Sequence, residues 1–104
     1  MKRLFLPVVL FAASRLIAGT GADLFGDNCA SCHGADGRAQ TPMGRKLGAK
    51  DLRSSKMTEA QVIERITQGF NDASGKAKMP PFKEQLSADE IRRIAEYVLG
   101  LRAK

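Results

Sequence analysis

Apolar residues recur at helical spacing in two stretches of the chain, and each stretch follows a sequence that caps a helix. Residues 58–61 and residues 87–90 each begin with Thr or Ser and end three positions later with Gln or Glu, which is the capping-box pattern. The first stretch ends at Gly69, and the second continues to Leu101. The spacing predicts two amphipathic helices over these stretches. The apolar positions of the first are Val62, Ile63 and Ile66, and the same spacing reaches Phe70 just after Gly69. Those of the second are Ile91, Ile94, Ala95 and Val98.

A third helix is predicted earlier in the chain, from about Ala22 to Ser31, and Gly34 favours its end. Residues 34–56 contain five Gly and Pro residues and many charges, so they predict a long loop with one helical turn near residues 47–52. No segment alternates between apolar and polar residues with the period of a strand. The sequence therefore predicts one all-α domain with three main helices and no internal repeat.

The first 22 residues differ from the rest of the chain. Two basic residues are followed by an apolar run over residues 4–13 and by small residues over 18–22, which is the order of a secretory signal peptide. The apolar run is shorter than the roughly 20 residues that a membrane span needs. We expect cleavage after Ala22, or alternatively after Ala18, and a mature domain over residues 23–104. The competing interpretation is that residues 1–22 stay attached and anchor the protein in a membrane. After cleavage we expect no stable membrane insertion.

Composition narrows the function classes. The chain has 104 residues with 17 basic and 11 acidic side chains, a formal net charge of +6. Three basic residues and no acids lie within residues 1–22, so the expected mature chain carries a charge of +3. Nucleic-acid binding requires a more strongly basic face than this, so we expect no nucleic-acid partner. A domain this small, with 6% aromatic residues, buries little apolar surface and often depends on a bound group for stability.

The two cysteines and the single histidine all fall in Cys29-Ala30-Ser31-Cys32-His33. C-x-x-C-H is the attachment signal of haem c. The two thiols can each add to one vinyl group of the porphyrin, and His33 is then placed to ligate the iron. A thioredoxin-like pair would need a βαβ pattern, and a structural zinc site would need four ligands, so neither fits. A surface disulfide in an exported protein is a further alternative.

A haem with one histidine ligand either takes a second axial ligand or keeps an open site. No second histidine exists, so the candidates are thioethers. Met79 lies in Lys78-Met79-Pro80-Pro81-Phe82, where two prolines make the loop stiff, as a ligand loop requires. Met57 fits better as an apolar residue packing at the start of the helix predicted from Thr58, and Met43 lies in the Gly-rich loop. We therefore predict Met79 as the sixth ligand.

Together these motifs resemble those of class I c-type cytochromes, especially the small monohaem members from bacteria and algae. The resemblance rests on Phe25, residues 28–34, residues 78–82 and residues 86–98. It implies one covalent haem within a compact helical fold, in which the first and last helices cross. It further implies thioether bonds at Cys29 and Cys32, axial ligation by His33 and Met79, a contact between Phe25 and Tyr97, a small residue at Gly21, and a Pro42 carbonyl that accepts from the ring of His33.

The expected function is that of a soluble monohaem carrier of single electrons between periplasmic redox partners. Lys76, Lys78 and Lys83 flank the Met79 loop and are the expected docking site for partners that the sequence does not identify. We expect a monomer without enzymatic activity. The alternatives are a peroxidase-like haem enzyme, and a subunit through which electrons enter a larger oxidoreductase complex.

Overall fold

The computed structural model describes residues 19–102. Within them the chain forms five helices, one 3-10 turn and a two-stranded antiparallel hairpin, in agreement with the predicted all-α class. The helices are α1 Gly21–Asn28, α2 Ala30–His33, α3 Pro42–Leu47, α4 Glu59–Gln68 and α5 Ala88–Leu101. The 3-10 turn is Leu52–Ser54, and the strands are β1 Phe70–Asn71 and β2 Ala77–Met79.

Both predicted capping boxes are confirmed. At the start of α4 the Thr58 hydroxyl accepts from the Gln61 amide at 3.1 Å, and the Gln61 side chain accepts from the Thr58 amide at 2.9 Å. Ser87 and Glu90 make the same reciprocal pair at the start of α5. These bonds satisfy amides that have no partner within the helix, so both helices begin where the sequence indicates.

The core lies where α5 packs against α1 and α4. Ile94 is completely buried at its centre. The ring centroids of Phe25 and Tyr97 are 5.2 Å apart, which confirms the contact that the family resemblance implies. Gly21 lies directly against α5, because a Cβ atom there would collide with the Arg93 carbonyl oxygen. The first and last helices therefore cross at a residue without a side chain.

The structure corrects the helix predicted from about Ala22 to Ser31. This stretch forms two helices, because Cys29 adopts a non-helical backbone conformation between α1 and α2. The long loop contains α3, which Thr41 caps and Gly48 ends in the left-handed conformation. The predicted loop thus contains two helical segments near residues 47–52, because α3 ends at Leu47 and the 3-10 turn begins at Leu52, whereas one turn was predicted.

The hairpin was not predicted, and it changes the environment of Phe70. Phe70 begins β1 and is 42% exposed, so it does not continue the apolar stripe of α4. The turn between the strands is held by the Asp72 carboxylate, which accepts from Ser74 and from the Lys76 amide. Strands of two and three residues are too short to show an alternating pattern in a sequence.

The predicted signal peptide lies outside the described residues up to position 18. Its last positions are described, and they belong to the folded domain. The hydroxyl of Thr20 caps α1 by accepting from the Asp23 amide at 3.1 Å. Across residues 19–102, none of the helices combines the length and the apolar character that crossing a bilayer requires.

Candidate cofactor site

The backbone around the C-x-x-C-H motif places its three reactive side chains in one cavity. The Cys29 amide donates to the Phe25 carbonyl at 2.8 Å, and the His33 amide donates to the Cys29 carbonyl at 2.9 Å. The second bond closes one helical turn over the motif, which brings Cys29, Cys32 and His33 to the same cavity wall. Gly34, at φ 80°, then ends the turn in a conformation that favours glycine.

This cavity has a volume of about 680 Å³, a size that suits a cofactor, and its walls are mainly apolar. Side chains from the core, from the long loop and from the segment after β2 all contribute to it. A planar apolar group bound covalently at one wall fits these walls and this donor set. The apolar lining includes Phe25, Leu52, Val62, Ile66, Phe82, Ile94 and Val98.

Burial sets the protonation of the motif. It raises the pKa of the Cys29 thiol to about 11, and the neighbouring Cys32 adds a smaller effect in the same direction. Burial also lowers the pKa of His33 below its ordinary value. Before any group is attached, the Cys29 side chain is therefore a thiol at neutral pH, and His33 is a neutral imidazole with a lone pair available for a metal.

The structure does not form the expected hydrogen bond between His33 and Pro42. Among the residues that the structure describes, the buried Nδ1 atom of His33 has no hydrogen-bond partner, and Pro42 is the first residue of α3. The adjacent residue, Thr41, makes the contact to the motif instead. Its hydroxyl donates to the Ser31 and Cys32 carbonyls at 2.8 and 3.2 Å and accepts from the Gly44 amide at 2.9 Å.

Gly44 reinforces this contact, because a Cβ atom at this position would collide with the Cys32 carbonyl oxygen. Together Thr41 and Gly44 hold the start of α3 against the haem-binding motif. Neither residue was predicted to belong to the site. The available signal was a Thr-Pro pair that opens a helix, with Gly48 at its end.

Two of the three candidate methionines reach the cavity. Met79, at the end of β2, and Met57, just before α4, both line it. Met43 is 45% exposed on α3 and is not part of the lining. Met79 and His33 therefore line the same cavity. Met57 lines it as well, so it is the methionine with which Met79 has to be compared.

Charged residues surround the Met79 segment unevenly. Lys78 is half-buried and lines the cavity, whereas Lys76 and Lys83 are exposed. Arg65 also lines the cavity and lies 4.4 Å from the ring centroid of Phe70, a cation–π contact that the sequence analysis did not predict. This contact depends on β1 leading away from α4, which no local pattern indicates.

A helical domain in which a C-x-x-C-H motif and a methionine line one apolar cavity defines a class, the monohaem c-type cytochromes. Comparison with known proteins agrees with this class. Residues 18–98 match a protein family described as cytochrome C oxidase, cbb3-type, subunit III. The chain belongs to this cytochrome c family, and its cofactor is a covalently bound haem c.

Relatives of this chain fall into two groups. Cytochrome c6 of Nostoc sp. (strain PCC 7120) is 37% identical over 110 residues, which cover 96% of this chain and 94% of that protein. Cbb3-type cytochrome c oxidase subunit CcoP of Cereibacter sphaeroides is 34% identical over 89 residues, which cover 82% of this chain but 28% of that protein. Among solved structures, the KustC0563 c-type cytochrome is 31% identical, with a TM-score of 0.70 over 80% of this chain and 98% of that one.

Proposed function

We propose that this protein carries single electrons between redox partners through a haem that Cys29 and Cys32 hold by thioether bonds and that His33 and Met79 ligate. The observation that carries the proposal is that all four side chains line the same apolar cavity. The bound haem supplies one-electron chemistry at its iron. With both axial positions taken by protein side chains, a substrate has no open coordination site, which favours a carrier over an enzyme.

Each side chain has a physical task in this proposal. Burial keeps His33 neutral, so that its ring nitrogen is free to ligate iron. The soft thioether of Met79 raises the reduction potential relative to a second imidazole. Pro80 and Pro81 restrict the backbone after Met79, so that the ligand keeps its position in both oxidation states.

The first test is the mass and spectrum of the protein exported from cells that attach haem c. We expect an adduct of about 616 Da. The ferric protein should show the weak absorption band at about 695 nm that accompanies methionine–iron bonding. Met79→Ala should abolish this band, lower the potential and allow the ferrous protein to bind carbon monoxide.

Met57→Ala is the matched control, because Met57 also lines the cavity. This variant should keep the band at about 695 nm and a reduction potential close to that of the wild type. An unchanged band in Met79→Ala would contradict ligation by Met79. Carbon monoxide binding by the wild-type ferrous protein would instead favour a peroxidase-like enzyme with an open site.

We propose that partners dock near the Met79 segment, at Lys76, Lys78 and Lys83. Charge supports this site, because Lys78 lines the cavity and the exposed Lys76 and Lys83 are close to it in sequence, and lysines attract an acidic surface over several ångströms. Ferricyanide, a small anionic oxidant, is a suitable probe. Replacing Lys76 and Lys83 by Ala should slow its reaction with the ferrous protein and flatten the dependence on ionic strength. Lys56→Ala, at an exposed site before α4, is the control. If it slows the reaction with ferricyanide as much as the replacement of Lys76 and Lys83 does, the proposed docking site is wrong.

We propose export by the N-terminal signal and cleavage after Ala18, so that the mature chain begins at Gly19. The Gly19 carbonyl accepts from the Arg93 guanidinium at 3.1 Å, and Thr20 caps α1. Gly21 is the residue that lies against α5. Cleavage after Ala22 would remove all three contacts. Mass spectrometry of the periplasmic holoprotein tests this boundary, and a chain beginning at Asp23 would contradict it.

A second candidate function is that of a subunit through which electrons enter a larger oxidoreductase. The match to 28% of subunit CcoP favours it, because that relative contains a similar domain within a longer chain. The near full-length match to cytochrome c6 favours a free carrier. Size-exclusion chromatography of gently prepared periplasmic and membrane fractions separates the two. We expect the haem protein to elute as a monomer, and co-elution with a large membrane complex would support the second candidate.

A further inference from the structure

We infer that Gly69 is a positioning residue that sets where Met79 reaches into the cavity. The inference rests on the proposed ligation of the haem iron by Met79. Gly69 itself does not line this cavity, and it acts through the backbone of the ligand segment.

The contact between Gly69 and the ligand segment is formed by backbone atoms on both sides. A Cβ atom at position 69 would lie 2.5 Å from the Met79 carbonyl oxygen, 2.7 Å from the Pro81 nitrogen and 2.9 Å from the Pro80 carbonyl carbon. None of these atoms belongs to a flexible side chain that could rotate away. Gly69 also has φ 75° and ψ −167°, a conformation that is essentially restricted to glycine.

Two further contacts join the same segments. Phe70 pairs with Met79 across the hairpin, and the Phe82 amide donates to the Ile66 carbonyl at 3.0 Å. The contacts thus occur at Met79 and after it, and they involve the last turn of α4 or the two residues that follow this helix.

The end of α4 is itself fixed by the core. Val62 and Ile66 are buried where α4 packs on α5, so α4 cannot move without disturbing the interior. The two prolines after Met79 leave little freedom to absorb a displacement. A side chain at position 69 would therefore push the backbone at 79–81 away from α4, or unwind the last turn of α4. Either change moves the thioether relative to His33.

Gly69→Ala in the holoprotein tests the inference. We expect the ferric band at about 695 nm to lose most of its intensity and the potential to fall towards that of Met79→Ala. The apparent affinity of the ferrous protein for carbon monoxide should rise about tenfold. A band, potential and carbon monoxide affinity equal to those of the wild type would overturn the inference.

A matched control separates this effect from the cost of replacing any glycine at positive φ. Gly75 has a φ value of 88° and does not line the cavity, and a Cβ atom there meets no atom of the described residues within 4 Å. Gly75→Ala should lower stability without changing the ferric band or the carbon monoxide affinity. If this control changes these readouts as much as Gly69→Ala does, strain in general and not contact with Met79 is the cause, and the inference is wrong.

The double variant Gly69→Ala/Met79→Ala separates the inference from the proposed ligation. If Gly69 acts through Met79, the double variant should match Met79→Ala in spectrum and potential. A band that survives in Met79→Ala contradicts the ligation itself, whereas a band lost there but intact in Gly69→Ala contradicts only the positioning role.

A measurement on the wild-type protein applies if Gly69→Ala yields no holoprotein. Added imidazole displaces a weak axial ligand, and we expect it to accelerate hydrogen exchange of the Phe82 amide about tenfold, because ligand and segment leave α4 together. The Leu24 amide, which donates to the Thr20 carbonyl in α1, is the internal reference and should not change. A Phe82 amide that stays protected after imidazole has bound would overturn the inference.

Discussion

The crossing of the first and last helices gives a sharp test of the fold, through Gly21→Ala. Gly21 is the first residue of α1, and a Cβ atom there would collide with the Arg93 carbonyl oxygen and lie 3.0 Å from the Cβ atom of Tyr97. The carbonyl belongs to the backbone of α5, which is anchored by the fully buried Ile94. Relief of the collision therefore requires α1 to move away from α5.

The magnitude follows from two opposing effects. Forcing an additional carbon into a well-packed contact costs about 1–3 kcal/mol. Alanine is preferred over glycine in a helix by up to about 1 kcal/mol, and less at the first position. The net loss should be about 1–2 kcal/mol. In a domain of this size that corresponds to a melting temperature about 5–15 °C lower.

Gly26→Ala provides the matched control within α1. Gly26 is exposed, and a Cβ atom there meets nothing within 4 Å, so only the gain in helix propensity remains. Thermal unfolding of the two holoproteins, followed by far-ultraviolet circular dichroism, should show opposite shifts. Equal stability of both variants would refute the close crossing, provided that mass spectrometry shows position 21 in the mature chain.

Three further substitutions test other parts of the structure, each in the holoprotein. Hydrogen bonds from Arg53 lower the pKa of Asp51 to about 2 from 3.8, so this carboxylate stabilises the fold above about pH 4, and its contribution is lost as the pH falls towards 2. The urea midpoint of Asp51→Asn should therefore fall less over this pH range than that of the wild type. Midpoints that fall in parallel would contradict a stabilising interaction between Asp51 and Arg53. Thr41→Val removes both the cap of α3 and the hydrogen bond to the C-x-x-C-H motif, so it should lower the free energy of unfolding in urea by about 1–2 kcal/mol. Thr58→Val is the control, because it removes only a helix cap. A loss in Thr41→Val no larger than in this control would argue against the hydrogen bond to the motif. Ile94→Ala empties a completely buried site and should cost about 2–5 kcal/mol in thermal unfolding, and a loss under about 1 kcal/mol would place the core elsewhere.

The starts of α4 and α5 could be predicted from the sequence, because each helix begins with a capping box of neighbouring residues. The boxes at Thr58 and Ser87 involve residues three positions apart, so the sequence contains both partners of each hydrogen bond. The C-x-x-C-H motif is equally local, because one helical turn brings its side chains to a common wall. The family resemblance added the Phe25–Tyr97 contact, which lies between residues 72 positions apart and which no local pattern could supply.

The errors arise where distant backbone segments meet. Phe70 continues the spacing of the α4 stripe, yet Gly69 turns the chain into a hairpin and leaves Phe70 at the surface. The family resemblance implied a Pro42 carbonyl that accepts from His33, a bond that the structure does not contain, and the contact that it does contain is from the neighbouring Thr41 to the Ser31 carbonyl. A sequence shows that a residue can cap or turn, but the backbone atom that it approaches depends on the tertiary fold.

Glycine at these meeting points explains how a chain with few large side chains can keep a cavity in shape. Gly44 lies against the Cys32 carbonyl on the motif side, and Gly69 lies against the Met79 carbonyl on the methionine side. Side-chain packing leaves rotamer freedom, whereas contact between backbones leaves almost none. The two segments that carry the proposed ligands are thus held by close contacts between backbones. Electron transfer benefits from such contacts, because ligands that keep their positions when the charge of the iron changes add little reorganisation energy to the reaction.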